Sequence, residues 1–259
     1  MERIVTIRLE AYFESNNILD KEQEGFRHFC STTNALLTFV QSIFNRFNQK
    51  ESTVAVFIDL EKAFNSVWRE GLLVKLAHVG VKGKLWTWIN TFLSHREAHC
   101  VVNKFTGNWF QTGIGHLKGS VISPILFNVF IKDIFSQTKS DKIKFADDGN
   151  IWITGKEPTS LETEIQKDLE SIHKWTKKWR INMNIEKNEY CVFSRTGMIK
   201  DNISISLNRK SLEYNPTPKI LGLTLDEKLT FSSHINILEQ KVSRTVGILR
   251  QIKGIAKIS

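Results

Sequence analysis

The stretch Lys144-Phe145-Ala146-Asp147-Asp148-Gly149-Asn150 places two adjacent carboxylates between two runs of β-forming residues, 142–146 and 150–154. Asp-Gly at 148–149 is a tight-turn signal when such runs flank it, so the stretch predicts a β-hairpin with both acids at or beside its tip. Adjacent carboxylates repel each other, and bound cations relieve that repulsion. Two interpretations remain open on this stretch alone: a polar turn without chemistry, or a cation site completed by a further carboxylate elsewhere.

The strongest strand signal in the chain is the apolar, β-branched run 53–60, which predicts a central strand buried on both faces. Asp59 lies near its C-terminal end, where a carboxylate is costly unless it faces a cleft, a partner or a metal ion. If this strand neighbours the hairpin, Asp59, Asp147 and Asp148 converge. Carboxylates are the hard oxygen ligands that Mg²⁺ prefers, and two such ions can activate a primer 3′-hydroxyl and stabilise a leaving pyrophosphate.

The composition is that of a globular protein, with 41% hydrophobic and 24% charged residues in a chain of 259. The formal charge of +9, from 36 basic and 27 acidic residues, suits a polyanionic partner such as nucleic acid. Cys30, Cys100 and Cys191 are far apart and predict neither a disulfide framework nor a zinc site. We find no apolar run of the ~20 residues that a membrane span needs and no signal-peptide pattern, so we expect an intracellular, soluble protein without a membrane partner, nuclear or cytoplasmic.

Helical periodicity predicts amphipathic helices along most of the chain, at residues 1–20, 34–45, 63–79, 83–94, 124–134, 159–179 and 235–257. Ser123 is predicted to cap one of them, and Thr159-x-x-Glu162 has the pattern of a capping box for another. Residues 98–103 and 108–112 predict a hairpin around Gly107. Further strands are expected at 189–194, 202–207 and 219–225.

Three stretches resemble, in order, core motifs of reverse transcriptases, and most closely those of non-LTR (LINE-type, jockey-like) retrotransposons. They are Phe57-Ile-Asp59-Leu-Glu-Lys-Ala-Phe64, Gly119-Ser-Val-Ile-Ser-Pro124-x-Leu-Phe-Asn128 and Phe145-Ala-Asp147-Asp148. Four further stretches resemble the family's fingers segment and the motifs that follow the catalytic ones. They are Gly25-Phe-Arg27-x-x-x-Ser31-Thr-Thr33, Trp88-Ile with Phe92-Leu-x-x-Arg96, Trp175-x-x-x-Trp179-Arg-x-Asn182-x-Asn184-x-x-Lys187 and Leu221-Gly-x-x-x-Asp226.

The resemblance implies a right-hand polymerase fold of the α+β class. An antiparallel sheet flanked by helices would form the palm, with partial fingers before it and a partial thumb-like C-terminal helix after it. We therefore expect partial fingers at 1–52, the palm at 53–226 and a thumb-like or connecting helix at 227–259. Residues 83–118 are a candidate insertion of the fingers or palm.

The resemblance also implies roles for individual residues. The catalytic and metal-binding residues would be Asp59, Asp147 and Asp148, holding two Mg²⁺ ions, with Mn²⁺ as a substitute. The nucleotide-binding residues would be Arg27, Phe64, Gly119, Ser120 and Lys187. The template- and primer-binding residues would be Lys118, Gly119, Leu221 and Gly222. Phe64 matches the family's steric gate, which crowds a ribonucleotide 2′-hydroxyl, but it also lies on an apolar helical stripe and can serve both purposes.

The activity that the resemblance implies is RNA-directed DNA synthesis, with an RNA template, a DNA primer or duplex and dNTPs as partners. The chain departs from the family where Leu117-Lys118-Gly119 replaces the usual Pro-Gln-Gly, because lysine cannot accept a hydrogen bond as glutamine does. Asn65 and Asn188 also stand where other residues are common. The chain begins inside the fingers and carries no endonuclease region, so we expect a fragment of a longer polyprotein.

Three alternatives stay open beside an active polymerase. A viral-type RNA-dependent RNA polymerase also carries paired acids on a hairpin, although Phe64 and the Ser-x-x-Pro-x-x-Phe-Asn loop argue against it. A truncated or domesticated relic would bind nucleic acid without polymerising, and the change at Leu117-Lys118 favours that alternative. A chain without complete fingers can also depend on a partner for folding.

Overall fold

The structure, a computed structural model, describes residues 1–94, 97–111, 119–195 and 202–255. The α-helices there are α1 (Glu2–Ser15), α2 (Thr32–Phe47), α3 (Arg69–His78), α4 (Gly83–Ser94), α5 (Ser123–Ile131), α6 (Pro158–Trp179) and α7 (Ser232–Ile255). The strands are β1 (Ser52–Asp59), β2 (Glu97–Ala98), β3 (Val101–Val102), β4 (Phe105–Thr106), β5 (Phe110–Gln111), β6 (Asp141–Phe145), β7 (Asp148–Gly155), β8 (Glu189–Phe193), β9 (Ser206–Leu207), β10 (Lys210–Ser211), β11 (Glu213–Tyr214), β12 (Lys219–Ile220) and β13 (Leu223–Thr224).

A five-stranded sheet organises the fold, with strand order β11-β8-β1-β7-β6. The predicted central strand is confirmed, because β1 lies in the middle and pairs antiparallel with both β7 and β8. Strands β6 and β7 form an antiparallel hairpin, and β11 pairs parallel to β8 at the far edge. This order places the end of β1 beside the tip of the β6–β7 hairpin.

Helices cover both faces of the sheet, because successive side chains of a strand point to opposite faces. On one face Val54, Val56 and Ile58 join a core to which α3, α5 and α6 contribute buried side chains. On the other face Ala55 and Phe57 pack against α2. The ring of Phe39 from α2 is fully buried there, in edge-to-face contact with aromatic rings from three strands of the sheet.

The helix predicted at 63–79 is divided in the structure. A single 3-10 turn, Ala63–Asn65, follows β1, and α3 begins only at Arg69. The hydroxyl of Ser66 donates to the carbonyls of Glu61 at 2.7 Å and Lys62 at 3.1 Å. Such local bonds from a side chain to the backbone compete with helix formation, which accounts for the interruption.

Two predicted helix caps are wrong. Ser123 lies inside α5 and its hydroxyl contacts that of Ser120, while a carboxylate oxygen of Glu2 accepts from the backbone N–H of Ile122 at the helix start, at 3.0 Å. Helix α6 begins at Pro158 without a side-chain cap, so Thr159 and Glu162 form no capping box. Proline suits a first helical position because it has no N–H to satisfy. Helix α2 has a side-chain cap, since the Ser31 hydroxyl accepts from the Asn34 N–H at 3.1 Å.

The turn of the hairpin predicted around Gly107 lies at a different position in the structure. Strands β3 and β4 are joined by Asn103 and Lys104, both with positive φ (49° and 70°), as a two-residue hairpin turn of type I′ requires. The strand predicted at 202–207 is only Ser206–Leu207, and 219–225 is a short hairpin of β12 and β13.

The terminal helix is present, but the apolar face that its helical periodicity predicts is not buried. Its apolar side chains are between 37% and 60% exposed, at Ile235, Leu238, Val242, Val246 and Leu249. In α1 the buried residues are Thr6, Leu9 and Phe13. Among the described residues, no helix combines the length and the apolar character that crossing a membrane requires.

Candidate active site

The β6–β7 hairpin presents both adjacent acids at its tip, as predicted, but its turn lies earlier than expected. Phe145 and Asp148 are the last paired residues, so Ala146 and Asp147 form the two-residue turn, with Ala146 at φ 58°. Asp148 and Gly149 already belong to β7. A Cβ atom on Gly149 would lie 2.8 Å from Cζ of Phe135, so glycine is needed there for packing against that ring.

Asp59 and Asp148 are directly opposite each other on neighbouring antiparallel strands. Residues paired in this way have Cβ atoms about 4.5–5.5 Å apart and point to the same face of the sheet. Both carboxylates line one cleft of about 180 Å³, together with Lys187 and Leu221. The predicted convergence of β1 with the hairpin is therefore seen for Asp59 and Asp148.

Asp147 lies beside this pair on the turn, where it lines a smaller crevice together with Asp148. Within the described ranges, no three side chains of His, Cys, Asp and Glu lie close enough together to hold a metal ion. A rotation of the Asp147 side chain towards Asp59 and Asp148 would bring three carboxylates to one cation. The donor set itself, carboxylates at the edge of an open cleft, fits a hard divalent ion with water and phosphate as further ligands.

Asp148 is affected electrostatically by the two neighbouring acids. Partial desolvation in the cleft, followed by the charges of Asp147 and Asp59, raises the pKa of Asp148 to about 6, while Lys187 acts in the opposite direction. A raised carboxylate pKa means that the negative charge is unfavourable without a counter-ion. Such a group in a cleft is a candidate ligand for a cation.

This shift predicts a pH dependence of stability. Between the ordinary pKa of 3.8 and about 6, the folded chain holds the Asp148 proton more tightly than the unfolded chain does, so stability falls as pH rises through this window. Asp148→Asn removes the unfavourable charge. In metal-free buffer near pH ~7 we expect its melting temperature to be higher by roughly 2–4 °C, a modest gain because solvent screens this exposed group.

The measurement is thermal unfolding of both chains near pH ~7 and near pH ~4, with the gain shrinking at the lower pH because the native carboxyl is then protonated. An equal gain at both pH values would contradict this explanation.

Lys187 lies at the rim of the cleft, with its Nζ 3.5 Å from Oδ2 of Asp59. Its side chain is 67% exposed, and an exposed ion pair at this distance contributes little to stability. The ammonium can therefore leave Asp59 for an incoming phosphate or give way to a metal ion at low cost.

Asn188 holds the backbone at Asp59, a contact that the sequence did not reveal. Its buried carboxamide oxygen accepts from the N–H of Asp59 at 2.7 Å, and the carbonyl of Asp59 accepts from the N–H of Asn184 at 2.9 Å. The Asn188 Nδ2 atom is buried without a hydrogen-bond partner. In the sequence, Asn188 stood out only as a departure from the family pattern.

We expect Asn188→Ala to weaken the binding of a divalent ion at these carboxylates by about 10–100-fold, because groups that orient a metal ligand have effects of this size. The Asp59 N–H would be left without its acceptor. The Mg²⁺ concentration that half-saturates the chain should rise in this variant, whereas Asn45→Ala, at an exposed position of α2, should leave it unchanged. Equal Mg²⁺ affinities in the Asn188 variant and the unchanged chain would exclude this role.

The predicted nucleotide-binding residues lie in different surroundings. The Phe64 ring is stacked on Phe127 with centroids 4.6 Å apart and meets Phe26 edge-on at 6.0 Å, so its structural role is evident. Gly119 has φ 87°, a conformation that favours glycine, and Ser120 contacts Ser123. Lys118, predicted to contact the template, lies outside the described residues.

Arg27 does not line the cleft, and its side chain is bound to other residues. Its guanidinium forms a two-pronged pair with Glu14, at 2.8 and 2.7 Å, and donates to the carbonyl of Asp20 at 2.7 Å. Contact with a triphosphate would require this pair to open. Its predicted role stays a prediction.

The predicted primer contacts form the turn between β12 and β13. Leu221 and Gly222 are its two central residues, with φ 47° and 90°. A positive φ is uncommon for leucine and is held by the surrounding structure. Leu221 lines the same cleft as Asp59 and Asp148, so this turn lies beside the paired carboxylates. Its contact with a primer or template stays a prediction.

Comparison with known proteins connects this site to a family. The sequence profile described as "Reverse transcriptase (RNA-dependent DNA polymerase)" matches residues 1–225. The chain is 30% identical over 249 residues to the RNA-directed DNA polymerase from mobile element jockey of Drosophila melanogaster, an alignment that covers 93% of the chain and 27% of the relative. It is 26% identical over 257 residues to the probable RNA-directed DNA polymerase from transposon BS of the same species, covering 96% and 28%.

Among solved structures, the fold resembles telomerase from Candida tropicalis in complex with a TWJ fragment of telomeric RNA. The TM-score is 0.57 at 11% identity, over 89% of this chain and 36% of the telomerase chain. Apo telomerase from the same species gives 0.57 at 10% identity, over 89% and 39%. The expected fold class is thereby confirmed as a right-hand polymerase fold with a sheet flanked by helices.

The chain spans little more than a quarter of the curated relatives' length. The similarity nevertheless extends along almost the whole chain, and the motifs around Asp59 and the Asp147-Asp148 hairpin lie within the matched residues. The protein belongs to the reverse transcriptase family, as a domain of the kind found in non-LTR retrotransposons.

Proposed function

We propose that this chain performs RNA-directed DNA synthesis, adding dNTPs to the 3′-hydroxyl of a DNA primer on an RNA template. The observation that carries the proposal is the register of β1 with β7, which sets Asp59 opposite Asp148 in a cleft with Asp147 on the adjoining turn. Paired carboxylates at such an edge suit nucleotidyl transfer, which depends on positioning and charge neutralisation rather than on a protein nucleophile.

Asp59, Asp147 and Asp148 would hold two divalent ions, Mg²⁺ or Mn²⁺. When bound, these ions supply the charge that activates the primer hydroxyl and neutralises the leaving pyrophosphate. The raised pKa of Asp148 supports this assignment, because desolvation in the cleft and then the charges of Asp147 and Asp59 disfavour a carboxylate that has no counter-ion. Asn188 would keep Asp59 in place through its bond to the Asp59 backbone.

The nucleotide would be bound by residues around the same cleft. Lys187 would exchange Asp59 for a phosphate oxygen, and Arg27 would exchange Glu14 for the triphosphate. Gly119 and Ser120 would allow close approach of the backbone to nucleotide and template. Phe64, held between Phe26 and Phe127, would select dNTPs by excluding a ribose 2′-hydroxyl; its rigid stacking supports that role.

Leu221 and Gly222, with Gly119 and Lys118, would contact the primer and template. We assign residues 1–52 to partial fingers, 53–226 to the palm and 227–259 to a thumb-like or connecting helix. The exposed apolar face of α7 supports the last assignment, because this helix does not bury that face against the sheet. A longer parent polyprotein, with further fingers or an endonuclease region, is consistent with the partial coverage of the curated relatives.

A second function, nucleic-acid binding without synthesis, is favoured by one observation. Lys118 stands where the family usually carries the glutamine that helps to position template and nucleotide. The formal charge of +9 would support binding by itself.

Primer extension decides between the two functions. The chain is incubated with an RNA template, a DNA primer, dNTPs and Mg²⁺, beside the double variant Asp147→Ala, Asp148→Ala. Extension that disappears in the double variant supports the polymerase. A folded chain that binds the duplex in a salt-sensitive manner but does not extend it refutes polymerisation and supports the binding function.

A further inference from the structure

The segment 20–25 is attached to the strand that leads into the acidic turn. The N–H of Glu24 donates to the carbonyl of Lys144, and the N–H of Lys144 donates to the carbonyl of Glu22, both at 2.8 Å. Gln23 and Lys144 thereby form a parallel β-bridge. The buried ammonium of Lys144 also bonds to Oδ2 of Asp20 at 2.5 Å. The segment therefore pairs with the outer edge of β6, the last strand of the sheet.

Gln23 extends this attachment onto the turn itself. Its side chain is 1% exposed, and its carboxamide pairs with both polar atoms of Ala146 in the manner of a peptide group. The Oε1 atom accepts from the Ala146 N–H at 3.1 Å, and Nε2 donates to the Ala146 carbonyl at 3.3 Å. Oε1 also accepts from the Gly25 N–H at 2.9 Å, which fixes the carboxamide in place.

Ala146 needs such support. It has φ 58°, in the left-handed region that is unfavourable for residues with a Cβ atom, and it immediately precedes Asp147. The orientation of the Ala146 peptide determines the direction in which the Asp147 side chain leaves the turn. A group that holds this peptide therefore influences whether Asp147 can join Asp59 and Asp148.

We propose that Gln23 is a positioning residue for the acidic turn: its carboxamide holds the Ala146 peptide so that Asp147 can share a divalent cation with Asp148. The proposal rests on the proposed function, because it concerns the metal affinity of the same site. Gln23 does not contact the cation; it acts through Ala146.

The chain contains a matched control. Gln166 makes the same two-sided pair with a backbone group elsewhere: its Nε2 donates to the Ser206 carbonyl at 2.8 Å, and its Oε1 accepts from the Ser206 N–H at 3.1 Å. This pair joins α6 to β9. A substitution at Gln166 therefore removes equivalent hydrogen bonds without touching the acidic turn.

The test measures Mn²⁺ binding directly, by the electron paramagnetic resonance signal of unbound Mn²⁺, on the full chain without nucleotide. Gln23→Met should weaken binding by about tenfold, as is common for groups that orient metal ligands. Gln166→Met should bind as the unchanged chain does. Equal Mn²⁺ affinities in the Gln23→Met and Gln166→Met chains would overturn the proposal.

Gln23→Glu provides a second test that does not depend on the methionine variant folding. The introduced carboxyl, when protonated, can again accept from and donate to Ala146; as a carboxylate it cannot donate. Its Mn²⁺ affinity relative to the unchanged chain should therefore increase as the pH is lowered. A carboxylate that only added negative charge would tighten Mn²⁺ binding as the pH rises, and that trend would overturn the proposal.

The two proposals fail differently. If the unchanged chain binds Mn²⁺ but does not extend a primer, polymerisation is refuted, while the Gln23 variants still decide the positioning role. If the unchanged chain binds no Mn²⁺, the positioning proposal is refuted, while primer extension still decides polymerisation.

Discussion

Replacing Asp148 by asparagine is expected to lower the rate of primer extension on the order of 10³-fold or more. A metal ion at a reacting centre contributes several kcal/mol of transition-state stabilisation, and each ~1.4 kcal/mol is a factor of about ten in rate. Asp148 and Asp59 face the same cleft from opposed strand positions, so Asp59→Asn should have a comparable effect. Asparagine preserves the shape of the side chain, but it removes the charge that binds a cation.

The measurement is single-turnover extension at saturating Mg²⁺, with thermal unfolding to verify the fold. Asp141→Asn is the matched control, since Asp141 is an exposed acid at the other end of the same hairpin, paired with Trp152. That variant should retain activity, as exposed substitutions away from a site have little effect. Extension within about tenfold of the unchanged chain in both Asp148→Asn and Asp59→Asn would exclude these carboxylates from catalysis.

The sequence was sufficient to predict the central part of the fold and of the site. A single apolar, β-branched run identified β1, and a carboxylate at the end of a buried strand is unusual enough to indicate Asp59. The paired acids between two β-forming runs indicated the hairpin. Once these two elements are neighbours, antiparallel register places Asp59 opposite Asp148, and the structure bears this out.

Predictions from local sequence patterns were wrong where residues distant in the sequence contact the backbone. Asp-Gly was predicted as the turn, yet the turn is Ala146-Asp147. The positive φ of Ala146 occurs where its N–H is hydrogen-bonded to Gln23, 123 positions away in the sequence. A similar reason applies to the caps, since the start of α5 is satisfied by Glu2 instead of Ser123. The exposed apolar face of α7 is a different case. Helical periodicity predicts that one face of a helix is apolar, but it does not predict which element covers that face.

Gly25→Ala is expected to have the second-largest effect, on both stability and activity. A Cβ atom at Gly25 would lie 2.2 Å from the backbone nitrogen of Ala146, a distance at which one of the two chain segments has to move. Gly25 is also held from the other side, because its carbonyl accepts from Nδ2 of the buried Asn128 at 2.9 Å. We therefore expect the displacement to fall largely on the turn that carries Asp147.

Overpacking of this kind costs about 1–3 kcal/mol of stability, and a shift of about 1 Å in a reacting group can lower the rate about 10²-fold. Gly247→Ala is the control, because nothing lies within 4 Å of the added Cβ atom in the middle of α7. Alanine is the better helix former there, so that variant should be as stable or more stable by up to about 1 kcal/mol. Denaturant unfolding and single-turnover extension measure the two effects separately.

A Gly25→Ala chain that is destabilised but extends primers normally would mean that α5 and the segment 20–25 move while the turn stays fixed. That result would separate the packing of Gly25 from the geometry of the acidic turn.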